Sequence, residues 1–222
     1  MLFRSVSAES GVPTFRDANG LWLSHDSQRL ASIGGWHDDP AAVLAFYNKR
    51  RTAMSTAAPN AAHLAIAALE KSYEVVVITQ NIDNLHEQAG SSHVLHLHGQ
   101  IAWARSSIEP HSRIEIGAQP IELGQLCPAG SQLRPDVVWF GEVPKHLDEA
   151  KQHFATAAKV LVVGTSLTVQ PAAGLLSRAR GRAEKRIVNT IWSKPPWGYH
   201  IRVGLATEEV PNICYEWLNP YK

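Results

Sequence analysis

The stretch of sequence that decides the fold reads Thr79-Gln80-Asn81-Ile82-Asp83-Asn84-Leu85-His86-Glu87-Gln88-Ala89-Gly90. It follows residues 73–78, an apolar and β-branched run that predicts a buried parallel strand. The sequence turns polar where this strand ends, and open α/β sheets bind their ligands at the carboxyl ends of their strands. These residues alone leave two interpretations equally open. The stretch is either a ligand site or an ordinary strand-to-helix turn, with Asn81 or Asp83 as the helix N-cap.

The composition indicates one soluble domain and argues against several classes of protein. The chain has 222 residues, and 45% of them are hydrophobic, which is enough for a substantial core. The net charge of +1 gives no electrostatic reason to expect binding to nucleic acid or to a membrane surface. The two cysteines, Cys127 and Cys214, predict no disulfide framework and suit a reducing compartment.

The apolar segments also bear on the expected location of the protein. No apolar run is long enough to cross a bilayer, and residues 1–5 lack the long apolar stretch of a signal peptide. We therefore expect a cytoplasmic protein.

The rest of the chain alternates between helical and strand patterns, which predicts an α/β fold with a Rossmann-like, doubly wound parallel sheet. The Gly-, Pro- and Ser-rich segment 6–22 predicts a loop. Helices are expected at 39–54, 60–71, 85–90, 147–158 and 171–182, and strands at 73–78, 94–97, 159–163 and 186–189, with a strand and turn over 137–142. Segment 101–133 breaks the alternation and predicts an inserted lobe.

Three short patterns suggest binding chemistry. Tyr47 and Arg50 lie three residues apart on a predicted helix and share a face, so they could clamp a carboxylate. A small, hydroxyl-rich turn at 164–166 follows a predicted strand and could hold phosphate or ribose through backbone N–H groups. Phe15 and Arg16 could cover a ring and hold a phosphate. Taken alone, the first and third pairs are better explained as ordinary surface residues beside a buried aromatic ring.

Five motifs stand in an order and approximate spacing that resemble one protein family. They are Ser7-Ala8-Glu9-Ser10-Gly11-Val12-Pro13-Thr14-Phe15-Arg16, residues 79–83, Leu97-His98-Gly99, residues 133–142, and Gly164-Thr165-Ser166-Leu167. The resemblance is to the sirtuins, the NAD-dependent protein deacylases, over nearly the whole chain after residue 5. Tyr47 and Arg50, with Ala31 upstream, resemble class III of that family. The resemblance implies that the Tyr and Arg of this class bind the carboxylate of succinyl- or malonyl-lysine, while the Ala leaves room for it.

The resemblance also implies a role for each matching residue. His98 matches the catalytic base, and the implied substrate-binding residues are Ala31, Tyr47, Arg50, Val137, Phe140, Gly141 and Glu142. The residues implied to bind NAD are Ser7, Gly11, Thr14, Phe15, Arg16, Trp22, Gln80, Asn81, Ile82, Asp83, Gly164, Thr165, Ser166, Asn189, Thr190, Ile191 and Ala206. His86 and His96 are interpreted as structural.

A single catalytic domain over residues 1–222 is expected on the same basis. Its Rossmann-like part would comprise about 1–23, 59–100 and 134–222. Two small-lobe insertions would occupy about 24–58, which is helical, and 101–133, at the position of a zinc ribbon.

The sequence departs from the family pattern at its first residues. Phe3-Arg4-Ser5 stands where the resemblance implies Gly-Ala-Gly, and the preceding apolar strand is reduced to Met1-Leu2. Larger side chains there would crowd the pyrophosphate, and loss of a central strand would leave neighbouring strand edges unpaired. We expect weakened NAD binding. A shortened reading frame and a degenerate gene copy both explain this departure.

A second departure concerns the four zinc cysteines that the resemblance implies. Their positions hold Ser106, Glu109, Cys127 and Gly130, so one thiol remains. Because a structural zinc needs four N or S ligands, we expect no zinc there and no metal site. Packing of the apolar residues Ile114, Ile116, Ile121, Leu123 and Leu126 would instead hold the lobe together.

The leading hypothesis is an NAD-dependent protein-lysine deacylase that removes succinyl, malonyl and acetyl groups from acylated proteins. Its implied products are nicotinamide, O-acyl-ADP-ribose and free lysine. An alternative, favoured by residues 3–5, is a pseudoenzyme that binds acyl-lysine peptides but holds NAD poorly. A third is an ADP-ribosyl transferase, against which Tyr47 and Arg50 argue, because a carboxylate clamp has no evident use there.

Overall fold

In the computed structural model of the chain, the described residues are 5–12, 25–109, 111–190 and 194–221. They form seven α-helices: α1 (His25–Leu30), α2 (Ile33–Asp38), α3 (Pro40–Ser55), α4 (Ala61–Ala68), α5 (Leu85–Gln88), α6 (Leu147–Thr156) and α7 (Ala206–Leu218). They also form eight strands: β1 (Val77–Thr79), β2 (Val94–His96), β3 (Gly99–Ser106), β4 (Arg113–Glu115), β5 (Leu133–Val137), β6 (Lys159–Val163), β7 (Glu184–Asn189) and β8 (His200–Val203). Short 3₁₀ helices occur at Val6–Ser10, Leu69–Lys71 and Ala172–Arg178.

The strands form two parallel groups and one antiparallel sheet. β1 pairs with β2, and β6, β7 and β8 pair in that order, all in parallel. Within the described ranges no ladder joins β1 to β6. A cavity of about 890 Å³ is instead lined by residues of both strands, and it extends to the polar turn after β1.

The long helix α3 confirms the prediction for 39–54. Asp39 caps it by accepting a hydrogen bond from the backbone N–H of Ala42 at 2.9 Å, and Pro40 stands in the first turn. One face of α3 buries Val43 and Tyr47 against the β3–β5 sheet. This packing fixes the orientation of the face that carries Tyr47.

The inserted segment is more regular than the sequence predicted. β3 pairs in antiparallel fashion with both β4 and β5, so regular strands occupy parts of segment 101–133, for which the sequence predicted only an inserted lobe. Of the strand and turn predicted over 137–142, the turn is confirmed, whereas the strand lies earlier in the chain because β5 ends at Val137. Residues 138–142 form a turn because Gly141 adopts a left-handed φ of 95° and Phe140 pairs with Ser32 instead.

The C-terminal part contains two elements that sequence reasoning missed and one that it overextended. Pro211 inside α7 hid the helical pattern, although Val210, Ile213 and Trp217 recur at helical spacing and pack against α4 and β7. β8 was not predicted either. The helix expected over 171–182 is wrong in type and length, because the structure forms a 3₁₀ helix over Ala172–Arg178.

None of the helices in the described part of the chain has the length and apolarity that crossing a membrane requires.

A buried polar network attaches the first described residues to the parallel strands. The Asn60 backbone N–H donates to His63 Nδ1 at 3.3 Å, so the neutral His63 ring carries its proton on Nε2. That nitrogen lies 3.4 Å from Ser7 Oγ, which in turn donates to Asp83 Oδ1 at 3.2 Å. His63 and His86 stack edge to face with ring centroids 4.7 Å apart. The 3₁₀ helix at Val6–Ser10 is therefore fixed against α4 and the turn after β1.

Burial lowers the pKa of His63 and of His86 to about 4 each. The unfolded chain takes up these protons at the ordinary histidine pKa of about 6.5, before the folded chain does. The stabilisation from neutral, buried rings is thus complete above pH 6.5 and is lost as the pH falls toward 4.

We predict that the free energy of unfolding falls by about 2 kcal/mol per ring between pH 7 and pH 5. Urea titrations at each pH measure it. His63→Gln should remove one ring's share of this pH dependence, whereas His111→Gln, on an exposed residue, should leave it unchanged. An unaltered pH dependence in His63→Gln would contradict this account.

Gly99 marks the closest backbone approach between β3 and β5. Its φ is +76°, and an added Cβ would lie 2.0 Å from the carbonyl oxygen of Asp136. A side chain at this position therefore forces the two strands apart.

We predict that Gly99→Ala destabilises the protein by more than about 3 kcal/mol, measured as the urea midpoint. Gly130→Ala is the matched control, because Gly130 has a φ of +82° and no atom within 4 Å of an added Cβ. That variant should lose only about 1–2 kcal/mol, the strain of the left-handed conformation. Equal losses of stability in the two variants would show that the close approach of β3 and β5 at Gly99 does not contribute to the destabilisation.

Candidate active site

His98 lies just beyond β2, half-buried at the edge of the large cavity. Its Nδ1 is 3.1 Å from the carbonyl oxygen of Gln80, which can only accept, so Nδ1 carries the hydrogen. Burial lowers the pKa of His98, and the Gln80 carbonyl partly opposes that shift. The ring is consequently neutral at pH 7, and its Nε2 can accept a proton.

Asn81 is held by four hydrogen bonds. Its side-chain oxygen accepts from Ser5 Oγ at 2.8 Å, and its amide group donates to Ser7 Oγ at 2.9 Å. Its backbone N–H donates to Thr79 Oγ1, and its carbonyl oxygen lies 3.1 Å from His96 Nδ1. The position of Asn81 is therefore fixed from both sides of the turn.

His96 has a supporting role that its position in the sequence did not reveal. Its Nδ1 contacts the Asn81 carbonyl, and its Nε2 lies 2.7 Å from Glu87 Oε1 on α5. The ring thus links α5 to the turn after β1, which agrees with its interpretation as structural.

Asp83 completes this turn as a buried carboxylate. Burial raises its pKa, while hydrogen bonds from the Leu85 backbone N–H and from Ser7 oppose the rise. Two donors thus hold Asp83 at the cavity wall.

The turn after β6 meets the turn after β1 across the cavity. Gln80 Nε2 donates to Thr165 Oγ1 at 3.4 Å, and Asn189 Nδ2 donates to the Thr165 carbonyl at 3.2 Å. Gly164 has a left-handed φ of 61°, and its N–H donates to Val188. A second cavity of about 420 Å³ adjoins this turn and is lined by Thr165, Ser166 and Asn189, among others.

Tyr47 and Arg50 line the large cavity from α3. Tyr47 is 1% exposed and Arg50 5% exposed. Burial raises the pKa of the Tyr47 hydroxyl and lowers that of Arg50 to about 10, so at pH 7 the phenol is neutral and the guanidinium is charged. A positive charge and a hydroxyl thus line the cavity from nearly buried positions, where an anion would be attracted more strongly than in bulk water.

Glu142 anchors the loop that follows β5. Its carboxylate accepts two hydrogen bonds from Arg134, one from Arg105 and one from the Trp139 backbone N–H, all between 2.8 and 3.0 Å. Burial would raise the pKa of Glu142, but these hydrogen bonds and charges lower it. The Glu142 side chain is therefore engaged within the protein, and its backbone N–H donates to the Trp139 carbonyl at 2.9 Å, so only its own carbonyl oxygen could serve a substrate.

Phe140 and Val143 form an exposed apolar edge on the same loop, with 48% and 81% of their surface accessible. The Phe140 backbone already donates to the Ala31 carbonyl at 2.8 Å and accepts from Ile33 at 3.5 Å. An added strand would therefore have to pair with the residues after Phe140.

The structure brings most of the predicted site residues to one cavity. Those lining it are His98, Gln80, Asn81, Ile82, Asp83, Gly164, Thr165, Ser166, Ala31, Tyr47, Arg50, Val137, Phe140, Gly141 and Glu142. Ser7 connects to this set through Asn81 and Asp83, and Gly11 caps the 3₁₀ helix that carries Ser7. Thr190 follows Asn189 and donates its backbone N–H to the Asn189 side chain.

Another predicted residue lies away from the cavity, and five others fall outside the described residues. Ala206 begins α7 in a separate core, and its N–H is bound by the Glu9 carboxylate at 3.1 Å. The five outside the described residues are Thr14, Phe15, Arg16, Trp22 and Ile191.

Sequence reasoning missed His63 and Arg134, which position site residues without lining the cavity. His63 was detectable as the fourth residue of Asn60-Ala61-Ala62-His63, which forms a capping box. The sequence around Arg134 does not indicate its role. Its partners Trp139 and Glu142 contact it only because the loop after β5 folds back toward that strand.

Hydroxyl groups surround the one remaining thiol in the inserted lobe. Ser106 Oγ accepts from the backbone N–H groups of Ile108 and Glu109 and lies 2.6 Å from Ser131 Oγ. Ser131 Oγ is in turn 3.1 Å from Cys127 Sγ. Hydrogen bonds thus connect the two loops at this point.

Comparisons with known proteins agree with the order of the motifs. The Sir2 family model matches residues 5–171. An NAD-dependent protein deacylase of Helicobacter pylori is 49% identical over 174 residues, covering 78% of this chain and 76% of the relative. An NAD-dependent protein deacylase of Vibrio parahaemolyticus is 41% identical over 220 residues, covering 95% of this chain and 90% of the relative.

Solved structures give the same result for the fold. A Sir2 homologue in complex with NAD superimposes with a TM-score of 0.86 at 36% identity, covering 98% of this chain and 87% of that one. A Sir2 protein bound to an acetylated peptide gives a TM-score of 0.76 at 27% identity, covering 97% of this chain and 89% of that one. The likeness confirms the predicted α/β fold class, and the chain belongs to the Sir2 family.

Proposed function

We propose that the chain is an NAD-dependent protein-lysine deacylase that removes succinyl, malonyl and acetyl groups from acylated lysines. Its products would be nicotinamide, O-acyl-ADP-ribose and free lysine. The observation that carries this proposal is that Tyr47 and Arg50 line the same cavity as His98. The relatives named NAD-dependent protein deacylases support the general activity.

The polar groups of the described residues fit NAD. The carboxylate of Asp83 and the hydroxyls of Thr165 and Ser166 suit ribose hydroxyl groups, and the amide of Gln80 suits a carboxamide. A cavity of about 890 Å³ lies within the range of small-molecule sites, and the adjoining space beside Asn189 extends it. When bound, NAD supplies a ribose that takes the acyl group and a nicotinamide that leaves.

His98 would act as the general base. The Gln80 carbonyl holds the proton on Nδ1 and so leaves Nε2 to accept a proton from a hydroxyl group. Its lowered pKa keeps the ring in the accepting, neutral form at physiological pH. Asn81 and Asp83, held by Ser7, would orient the groups around it.

Tyr47 and Arg50 would bind the distal carboxylate of a succinyl or malonyl group. Charge-assisted hydrogen bonds from a guanidinium are about twice as strong as neutral ones, and the buried position keeps water from competing. Ala31, with its short side chain, lines the same cavity and leaves room for the longer acyl chain. An acetyl group lacks the carboxylate and gains nothing from this pair.

The peptide that carries the lysine would bind along the loop after β5. Gly141 and Val143 would pair with an extended backbone beside the exposed Phe140 ring, which is a form of β-augmentation. The four hydrogen bonds to Glu142 would hold this loop rigid while it binds.

Two further expectations are retained as proposals. The inserted lobe is expected to bind no zinc; hydrogen bonds among Ser106, Ser131 and Cys127 connect its loops at the position of the zinc cysteines. The division into a Rossmann-like part and two insertions is also kept. It would assign Tyr47 and Arg50 to the helical insertion over about 24–58 and His98 to the Rossmann-like part.

The pseudoenzyme alternative also has a structural observation in its favour. In the described ranges β1 and β6 share no ladder, and an open space separates two strands whose ends carry the proposed cofactor residues. A chain with this defect could keep the acyl-lysine site and hold NAD weakly. Measured turnover and cofactor binding separate the two proposals.

We predict that Arg50→Met lowers kcat/KM for a succinyl-lysine peptide by about 10- to 100-fold, because it removes an interaction worth about 1.5–3 kcal/mol. Activity on the acetyl-lysine peptide should change by less than about threefold. Lys49→Met is the matched control, since Lys49 is the preceding residue of α3 and is exposed; it should affect neither activity.

Two outcomes would contradict the prediction in different ways. Equal loss on both peptides would show that Arg50 does not read the acyl carboxylate, while leaving the deacylase proposal intact. Absence of NAD-dependent turnover on either peptide by the unmodified protein would favour the pseudoenzyme.

A further inference from the structure

We propose that His93, Glu149 and His153 form a binding site for a divalent transition-metal ion, with Zn²⁺ the ion that their donor set favours. The site lies apart from the proposed acyl-lysine and NAD residues. His93 precedes β2 and His98 follows it, so the two rings are at opposite ends of this strand. Of the three proposed ligands, His153 alone also lines the large cavity that His98 lines.

The three ligand atoms already converge. One ligand atom from each side chain lies within 4.8 Å of the other two. His93 Nε2 is 3.8 Å from Glu149 Oε1, and the His93 and His153 rings meet edge to face with centroids 5.4 Å apart. Metal–ligand bonds of about 2.0–2.1 Å in a tetrahedral site place ligand atoms roughly 3.3 Å apart. Small rotations of half-exposed side chains would therefore complete the site.

The backbone holds these side chains on two different elements. Glu149 and His153 are four residues apart on α6, so they share one face of that helix. His93 is fixed by its carbonyl oxygen, which accepts from the Val77 backbone N–H at 3.0 Å. On its inner side α6 is anchored by the fully buried Ala150 and by Phe154. The two elements are thus rigid enough to present ligands at a constant separation.

Two imidazoles and one carboxylate form a donor set suited to Zn²⁺, and three protein ligands leave one position for water. His146 supplies a partner outside this set, because its Nδ1 lies 3.3 Å from the other Glu149 oxygen. Such an outer contact orients a ligating carboxylate. All three ligands are partly exposed, so an ion can enter from solvent.

The simpler explanation is that His93 and Glu149 form only an ion pair. An ion pair accounts for two of the groups, and His153 would then only pack its ring against His93. The two explanations differ in whether a metal ion binds and in whether removing His153 matters.

The test uses the untagged full chain, stripped with EDTA and titrated with Zn²⁺ in a calorimeter and with Co²⁺ in the visible spectrum. We expect one ion per chain, visible Co²⁺ absorption of a low-coordinate site, and a rise in Tm with Zn²⁺. His153→Gln and Glu149→Gln should each weaken binding at least tenfold. Cys127→Ser and His111→Gln, which alter the inserted lobe, should bind as the unmodified chain does.

Absence of binding by a folded, unmodified chain would overturn the proposal, and so would unchanged affinity in His153→Gln. Loss of binding in Cys127→Ser would place the ion in the inserted lobe and would overturn it as well. Both ligand substitutions are on partly exposed side chains, so the variants should fold normally. Their unfolding curves without metal should match that of the unmodified chain, which serves as the control for folding.

Discussion

The hydrogen bonds around Asn81 are the constraint on which the rest of the site depends. In the described ranges β1 and β6 share no backbone ladder, so side chains must hold their carboxyl ends together. Ser5, Ser7 and His96 fix Asn81 from three sides, and the neighbouring Gln80 reaches Thr165 on the far turn. The Gln80 carbonyl sets the tautomer of His98. A single turn therefore positions both the proposed base and the proposed cofactor residues.

The part of the cavity proposed to bind the acyl group contains a buried charge, the guanidinium of Arg50. A buried guanidinium costs free energy unless it is compensated, and such sites are commonly functional rather than stabilising. The two buried arginines of this region contact different groups: the guanidinium of Arg134 forms a bidentate pair with Glu142 and stacks on Trp139, and Arg50 lines the cavity. Arg134 and Glu142 shape the wall, whereas Arg50 and Tyr47 bring polar groups to the cavity surface.

Much of this arrangement could be predicted from the sequence, because it rests on local patterns. The helix α3, the strand β6 and the polar turn after β1 each carry a periodicity or a cap that identifies them. Contacts between distant segments could not be predicted in this way. No pattern links Ser7 to His63 and Asp83, and Arg134 meets Glu142 only because Gly141 turns the chain. Helix α7 was missed because an internal proline masks a regular apolar face.

The most direct test of the central claim is a measurement of NAD consumption by the chain with a succinyl-lysine peptide, with nicotinamide and free lysine counted together. An NAD-dependent deacylase should release one nicotinamide for each lysine freed, and none without peptide. Calorimetry on the same sample should show NAD binding. Peptide binding without NAD binding or nicotinamide release would contradict the account and leave a protein that recognises acyl-lysine without acting on it.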